Sequence, residues 1–273
     1  SRIEVSPASG GYLPIAEHGL IGDLHTVALV GTEGTIDWYC CPRFDAPSLF
    51  GAILDKVRGG YWRLSPEDGD CTSKQLYIPD TNVLITRFYS PDGVAEVQDF
   101  MPVVSEGYHP HCLVRRVTGV RGQLHFRLEV EPRFDYGRSK HETRLHKLGA
   151  VFESPTLSVA LGSPLPLERS KEGAHVSFAL KARESVTFVL DSIDDGEEPR
   201  VYDEHGALRA FEDTVAFWRR WLSRSRYMGR WRETVHRSAL TLKLLTYSPT
   251  GALVAAPTTS LPEQIGGGRN WDY

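Results

Sequence analysis

The chain has 273 residues, 41% of them hydrophobic and 24% charged, with a formal net charge of −4. That is the balance of a soluble globular protein with room for one large or two ordinary domains. The basic residues are scattered, so no electrostatic footprint for nucleic acid is present. No stretch approaches 18 uncharged apolar residues, and Ser1 to Gly10 lacks the basic and apolar regions of a secretion signal, so we expect no membrane partner and a cytoplasmic location.

The first informative stretch, "GGYLPIAEHGLIGDLHT", is punctuated by Gly19 and Gly22 and reads as a turn-rich loop. Glu17, His18, Asp23 and His25 could form an acid/base cluster there, or could simply hydrogen-bond backbone. "TVALVGTEGTIDWYC" follows, with Val27 and Leu29, then Ile36, Trp38 and Cys40, alternating on either side of a glycine-flanked turn: a hairpin. In "DWYCCPRFDAPSLFGAILD" the strand ends at Cys41 and Pro42 breaks it. Arg43, Phe44 and Asp45 then fall on a loop, ahead of a helix-like "SLFGAILD" that Ser48 could cap. An arginine fork, an aromatic ring and a carboxylate on one short loop suit a polyhydroxylated ligand. The plainer alternative is an Arg43–Asp45 pair that pins a corner of the fold.

Further alternating runs are "NVLITRFYS", "VAEVQDFMP", "HCLVRRVTGV", "QLHFRLEVEP", "AVFES", "LSVAL", "HVSFAL" and "SVTFVLDS". So many short strands are best accommodated by two stacked sheets, and the class is mainly β, a large antiparallel two-sheet β-sandwich. The period then lengthens. Leu208, Phe211, Val215, Trp218 and Leu222 recur at helical spacing, with Arg219, Arg220 and Arg224 toward the end that favours cations. A second helix follows Gly229, with Trp231, Val235, Leu242 and Leu245 on one face until Tyr247-Ser248-Pro249. The closing "RNWDY" offers indole and phenol faces beside an acid, which suits a sugar platform, although an aromatic plug under a loop is the plainer reading.

The four cysteines, Cys40, Cys41, Cys71 and Cys112, show no C-x-x-C and no histidine at zinc-ligand spacing, and "HPHC" at 109–112 is too compact for a tetrahedral site. We expect reduced thiols, no metal and no cofactor. No nucleophile elbow, Walker loop, dinucleotide fingerprint or H-E-x-x-H is present.

Three segments in order, "PIAEHGLIGDLHTVALVGTEGTIDWYCCPRFDAPSLFGAILD", "RSALTLKLLTYSPTGALVAAPTTSLPE" and "RNWDY", resemble the prokaryotic branch of glycoside hydrolase family 15, the glucoamylase and trehalase type of α-glucosidase. The resemblance implies an N-terminal sandwich over residues 1–200, a helical linker over 201–228, and the first elements of a catalytic (α/α)6 barrel over 229–273, whose remainder would be a separate or missing partner. It implies Tyr273 in the pocket for the terminal glucose, with Asn270, Trp271 and Asp272 beside it. It also implies a sandwich loop leaning toward the barrel mouth, with Trp38, Arg43, Phe44 and Asp45 nearest substrate. Family acids lie beyond position 273, so none of Glu17, Asp23, Asp37, Asp45, Glu263 and Asp272 is carried over as catalytic, and the chain alone should be inactive. The implied substrate is a small α-glucoside such as trehalose, isomaltose or maltose, or a starch or dextrin end. The alternative is a non-enzymatic carbohydrate-binding or interaction module, and homo-oligomer contacts are a further role for the sandwich.

Overall fold

A computed structural model describes residues 11–67, 69–103, 111–194, 196–258, 261, 264 and 266–268. Its strands are β1 His18–Gly22, β2 Val27–Gly31, β3 Thr35–Cys40, β4 Ser48–Phe50, β5 Tyr61–Pro66, β6 Thr72–Tyr77, β7 Leu84–Ser90 and β8 Gly93–Phe100, then β9 Cys112–Glu131, β10 Glu142–His146, β11 Gly149–Glu153, β12 Ser158–Gly162, β13 Glu168–Arg169, β14 Ala174–Lys181 and β15 Ser185–Ile193. All strand pairings are antiparallel. One layer runs β1-β2-β3-β5-β9-β14-β13, with β4 also on β3, and the other runs β6-β7-β8-β9-β15-β12-β11-β10. The mainly β sandwich expected from the alternating runs is what forms.

β9 belongs to both layers. Its first part, from Cys112, lies between β8 and β15, and its second, to Glu131, between β5 and β14. The changeover falls at Gly119 and Gly122. Gly122 has φ +67°, and a Cβ there would sit 1.9 Å from the Asp92 carbonyl oxygen, so only glycine fits. Aromatic rings from the two layers meet between them: Phe88 on Phe126 at 6.0 Å and Phe178 on Phe188 at 5.8 Å. Phe88, Phe126 and Phe188 are almost fully buried, each worth about 1.5–3 kcal/mol of transfer free energy.

The alternation of β8 turns Ala95, Val97 and Asp99 inward, and so places a carboxylate in the core. Its cross-strand partner is Arg115. Both side chains are completely buried. Arg115 Nε donates to Asp99 Oδ1 at 2.8 Å, Nη1 to the Trp62 carbonyl at 2.8 Å and Nη2 to the Gly34 carbonyl at 2.8 Å, while its guanidinium lies 5.2 Å from the Trp62 ring. One arginine on the first part of β9 thereby holds the β2–β3 turn and β5 of the opposite layer.

Two helices complete the described chain. Helix α1, Glu204–Leu222, is capped by Asp203, whose Oδ1 accepts from Gly206 N at 2.7 Å. It packs Phe211 and Val215 on the outside of the second layer, against Phe100, Val114 and Val189. Helix α2, Arg232–Leu244, turns His236, Leu240 and Leu244 inward. There Leu240 and Leu244 meet Trp218 and Leu222 of α1 and Leu24, Val27 and Phe44 of the sandwich. None of the described helices is long and apolar enough to cross a membrane.

Four local expectations are corrected. The "turn-rich" stretch contains β1, because Gly19 and Gly22 leave room for the Leu84 side chain and the Thr26 carbonyl close against the backbone. "SLFGAILD" opens as strand β4, held by Tyr39↔Phe50 and Cys40↔Ser48 pairing, and Ser48 caps no helix. "HCLVRRVTGV" and "QLHFRLEVEP" are one strand. The α2 face is rotated: Trp231 and Leu242 are 59% and 55% exposed, because the turn at 80–82 binds the opposite side, with Asn82 Nδ2 donating to the Leu240 carbonyl at 3.1 Å and Arg237 Nη1 to the Thr81 carbonyl at 2.7 Å. Leu208 of α1 likewise stays exposed.

Between β1 and β3 a buried histidine bonds through both ring nitrogens, His18 Nε2 to Asp37 Oδ2 at 2.8 Å and Nδ1 to the Pro14 carbonyl at 3.0 Å. Burial alone would depress its pKa, but the hydrogen bond and charge of Asp37, the Pro14 carbonyl and the charge of Glu33 outweigh it and hold it above the ordinary 6.5. A raised histidine pKa stabilises fully below the unfolded value and is lost as pH rises through the folded one. His18→Gln should therefore cost more stability near about pH 5.5 than near about pH 9 in urea unfolding, and an equal loss at both would contradict a cationic His18. Arg115→Leu should cost about 3–5 kcal/mol, since it leaves Asp99 buried without its partner, and Asp99→Leu added to it should recover part of that loss. An unchanged urea midpoint for the single variant would show that the pair does not hold the layers.

Candidate functional site

The sandwich and helices meet at the β1–β2 turn and the loop at 41–47 that follows β3. Phe44 N donates to the His25 carbonyl at 2.9 Å, which seats the loop on the turn. Phe44 itself is buried against the helices, with its ring 6.3 Å from Tyr247. Arg43 and Asp45, flanking it, point outward and meet each other, Nε to Oδ1 at 3.0 Å and Nη2 to Oδ2 at 3.5 Å. Their side chains are 55% and 71% exposed. The arginine hydrogen bond holds the Asp45 carboxyl below the usual carboxylate range. What the loop presents to solvent is thus a paired donor fork and acceptor, a surface able to bind hydroxyls.

Trp38 is completely buried on the outer face of the first layer, opposite Leu29 and close to Leu20, Ile53 and Leu261. Its indole Nε1 donates to the Pro257 carbonyl at 3.0 Å. The segment after α2 is fastened at two more points, Ser248 N to the Leu24 carbonyl at 2.8 Å and Val254 N to the Leu245 carbonyl at 2.9 Å. The four residues singled out in the sequence therefore divide: Arg43 and Asp45 form an exposed pair on the loop, while Phe44 beside them and Trp38 on β3 fill two separate buried clusters and hold the surrounding segments. Asn270, Trp271, Asp272 and Tyr273 lie outside the described residues.

The supposed acid/base cluster also divides. His18 pairs with Asp37, whereas Asp23 and His25 face His111, a residue 88 positions from Asp23 that no sequence spacing could have joined to it. Asp23 is 1% exposed; its Oδ1 accepts from the backbone of His25 at 2.9 Å and of Thr26 at 3.0 Å, and its Oδ2 meets His111 Nδ1 at 2.9 Å. That hydrogen bond, against the opposing effect of burial, raises the His111 pKa above 6.5.

A concavity of about 280 Å³ opens beside β3, against Thr35, Asp37 and Ile53. It is lined by Tyr12, Glu33, Asp37, Lys56, Tyr61 and Arg63. Glu33 Oε2 and Asp37 Oδ1 are buried without a hydrogen-bond partner among the described residues, and burial pushes the Glu33 carboxyl up. Aromatic walls around two acceptors are also a polyol-binding combination.

Residues 9–179 match the family described as "Trehalase-like, N-terminal". Among curated relatives, a trehalase of Thermoplasma volcanium is 37% identical over 96% of this chain and 42% of its own length. A trehalase of Mycobacterium tuberculosis is 33% identical over 98% and 42%, and one of Thermoplasma acidophilum 35% over 90% and 42%. The chain thus spans about two fifths of the length of the relatives it matches. Among solved structures, a family 81 glycoside hydrolase of Clostridium thermocellum aligns at 11% identity over 81% of this chain and 29% of that one, with a TM-score of 0.31, too loose a likeness to argue from. By the extent of the family match and the identity to three trehalases along nearly its whole length, the chain belongs to the trehalase-like N-terminal family.

Proposed function

We propose that the chain is the N-terminal part of a cytoplasmic, inverting α-glucosidase of glycoside hydrolase family 15 that cleaves trehalose. The observation that carries this reading is the set of trehalase relatives covering at least nine tenths of the chain. The three ordered sequence segments support family 15, and the four cysteines, none of which forms a disulfide, suit a reducing compartment.

In this reading residues 1–200 are the sandwich, 201–228 the linker and 229–273 the entry to the barrel. Trp231, Leu242 and the 84% exposed Met228 form apolar surface that further barrel helices would cover. The chemistry needs one carboxylic acid to protonate the glycosidic oxygen and a carboxylate roughly 6.5–9.5 Å away to activate water on the opposite face. Both would come from the remainder of the protein. This chain supplies Arg43 and Asp45 at the rim, with Asn270, Trp271, Asp272 and Tyr273 against the terminal glucose, while Trp38 and Phe44 support the loops from beneath. A second reading, a carbohydrate-binding module acting alone, is favoured by the concavity beside Asp37 and Tyr61.

Inversion makes a specific demand on trehalose, whose two glucoses are both α at the shared oxygen. Attack at one anomeric carbon releases it as β-glucose, and the other half leaves as α-glucose. Proton NMR of the full-length protein with trehalose should show the two anomers rising equally before mutarotation. Only α-glucose would mean retention, and no glucose from trehalose would remove the trehalase assignment. The 273-residue chain alone should neither turn over trehalose nor give binding heat with it in calorimetry, whereas binding there would favour the module reading. In the full-length enzyme Arg43→Ala should raise KM for trehalose by roughly 10-fold, the loss of about one charged hydrogen bond, with unfolding free energy changed by less than about 0.5 kcal/mol. An unchanged KM would return the pair to a structural role.

A further inference from the structure

Asp23, His25 and His111 reach one point from three places in the chain: the end of β1, the turn before β2 and the residue ahead of β9. One carboxylate oxygen of Asp23 and one ring nitrogen of each histidine all lie within 4.8 Å of one another. Donors around a tetrahedral zinc stand roughly 3.4 Å apart, from bond lengths near 2.0–2.2 Å, so small side-chain rotations would close these three on an ion. We propose that Asp23, His25 and His111 form a three-ligand site for a divalent transition metal, with Zn²⁺ the best match. This departs from the absence of a metal expected from the cysteines and from the compact "HPHC", whose second histidine is His111.

The donor set argues for that class. Two imidazoles and one carboxylate suit zinc and its neighbours, whereas magnesium and calcium require mostly oxygen. The supporting contacts have the form seen around ligating residues. Asp23 is buried, and the two backbone amides on its Oδ1 leave Oδ2 toward the histidines. His25 Nδ1 lies 3.2 Å from the Asp23 carbonyl, and the tautomer that donates there carries its lone pair on Nε2, as metal-bound histidines do when a carbonyl holds the other nitrogen. The His25 ring stands edge-on to that of His111, with centroids 4.4 Å apart, so both imidazoles are already gathered at the Asp23 carboxylate. Three protein ligands leave the fourth position of a tetrahedral ion to water. Binding would displace the proton shared by Asp23 and His111.

The place of this site suggests what the ion does. The same turn receives Phe44 N on the His25 carbonyl and Ser248 N on the Leu24 carbonyl, and the His25 ring meets Tyr247 at 5.8 Å. A metal here would lock the sandwich, the 41–47 loop and the segment after α2 to one point.

The test is calorimetric titration of the metal-stripped full-length protein with Zn²⁺, for wild type, His25→Ala, His111→Ala and the distant control His146→Ala. We expect one equivalent in wild type and in the control, a higher melting temperature with zinc, and affinity in each site variant reduced by at least the roughly 100-fold upper range for loss of an outer-shell partner. Absence of binding in wild type, or binding that survives both site substitutions, overturns the proposal. Because a variant could fail to fold, zinc-edge X-ray absorption of the wild-type complex is the second measurement: two imidazole ligands are expected, and a shell without imidazole overturns the site equally.

Discussion

The sandwich depends on Arg115. Its charge is buried opposite Asp99, its remaining donors are used by carbonyls of the opposite layer, and its plane rests beside Trp62. A buried ion pair contributes little when compared with well-packed apolar side chains, but one whose partners sit on separate elements punishes any other register. Shifting β8 by one residue would turn Asp99 outward and leave the arginine among Leu and Phe side chains. The pair thus selects one alignment of β8 on β9, and through the Gly34 and Trp62 carbonyls it extends that choice to the first layer.

β9 makes the selection global. Since a single strand is central in both layers, aligning it with β8 and β15 also sets where β5 and β14 must pair. The bend between its two parts needs glycine at 122, where the Asp92 carbonyl leaves no space for a side chain. The junction with the helices is built on this frame: His111 immediately precedes β9, so the frame also brings it to Asp23 at the end of β1.

The legible parts of the chain were those whose pattern follows from local geometry. Strands β7 and β8 alternate buried and part-exposed residues along their length, and helix α1 packs Phe211, Val215, Trp218 and Leu222 as their spacing implied. The unread parts are those where a distant partner decides. The spacing of Leu49, Phe50, Ile53 and Leu54 is helical, yet Tyr39 and Cys40 recruit Ser48 and Phe50 into a sheet. The apolar residues of α2 suggest one buried face, and hydrogen bonds from the turn at 80–82 select another. At the site, the short range of Arg43 and Asp45 made their pairing readable, whereas nothing local links position 23 to position 111. Burial of Trp38 was likewise hidden, because its cover comes from Pro257 and Leu261, more than 200 residues away in sequence.

That cover has an entropic side. A chain leaving helix α2 unattached would explore a wide volume, and any residue farther along would find a given spot on the sandwich only rarely. The hydrogen bond from the Trp38 indole moves the effective origin of that search to the Pro257 carbonyl, on the outer face of β3. The stretch from the end of α2 to Pro257 is thereby closed on the sandwich at both ends, and its own contacts, Ser248 N on the Leu24 carbonyl and Val254 N on the Leu245 carbonyl, form within a short loop, which costs less to close than a long one. A single indole N–H thus works as a tether point as well as a satisfied donor.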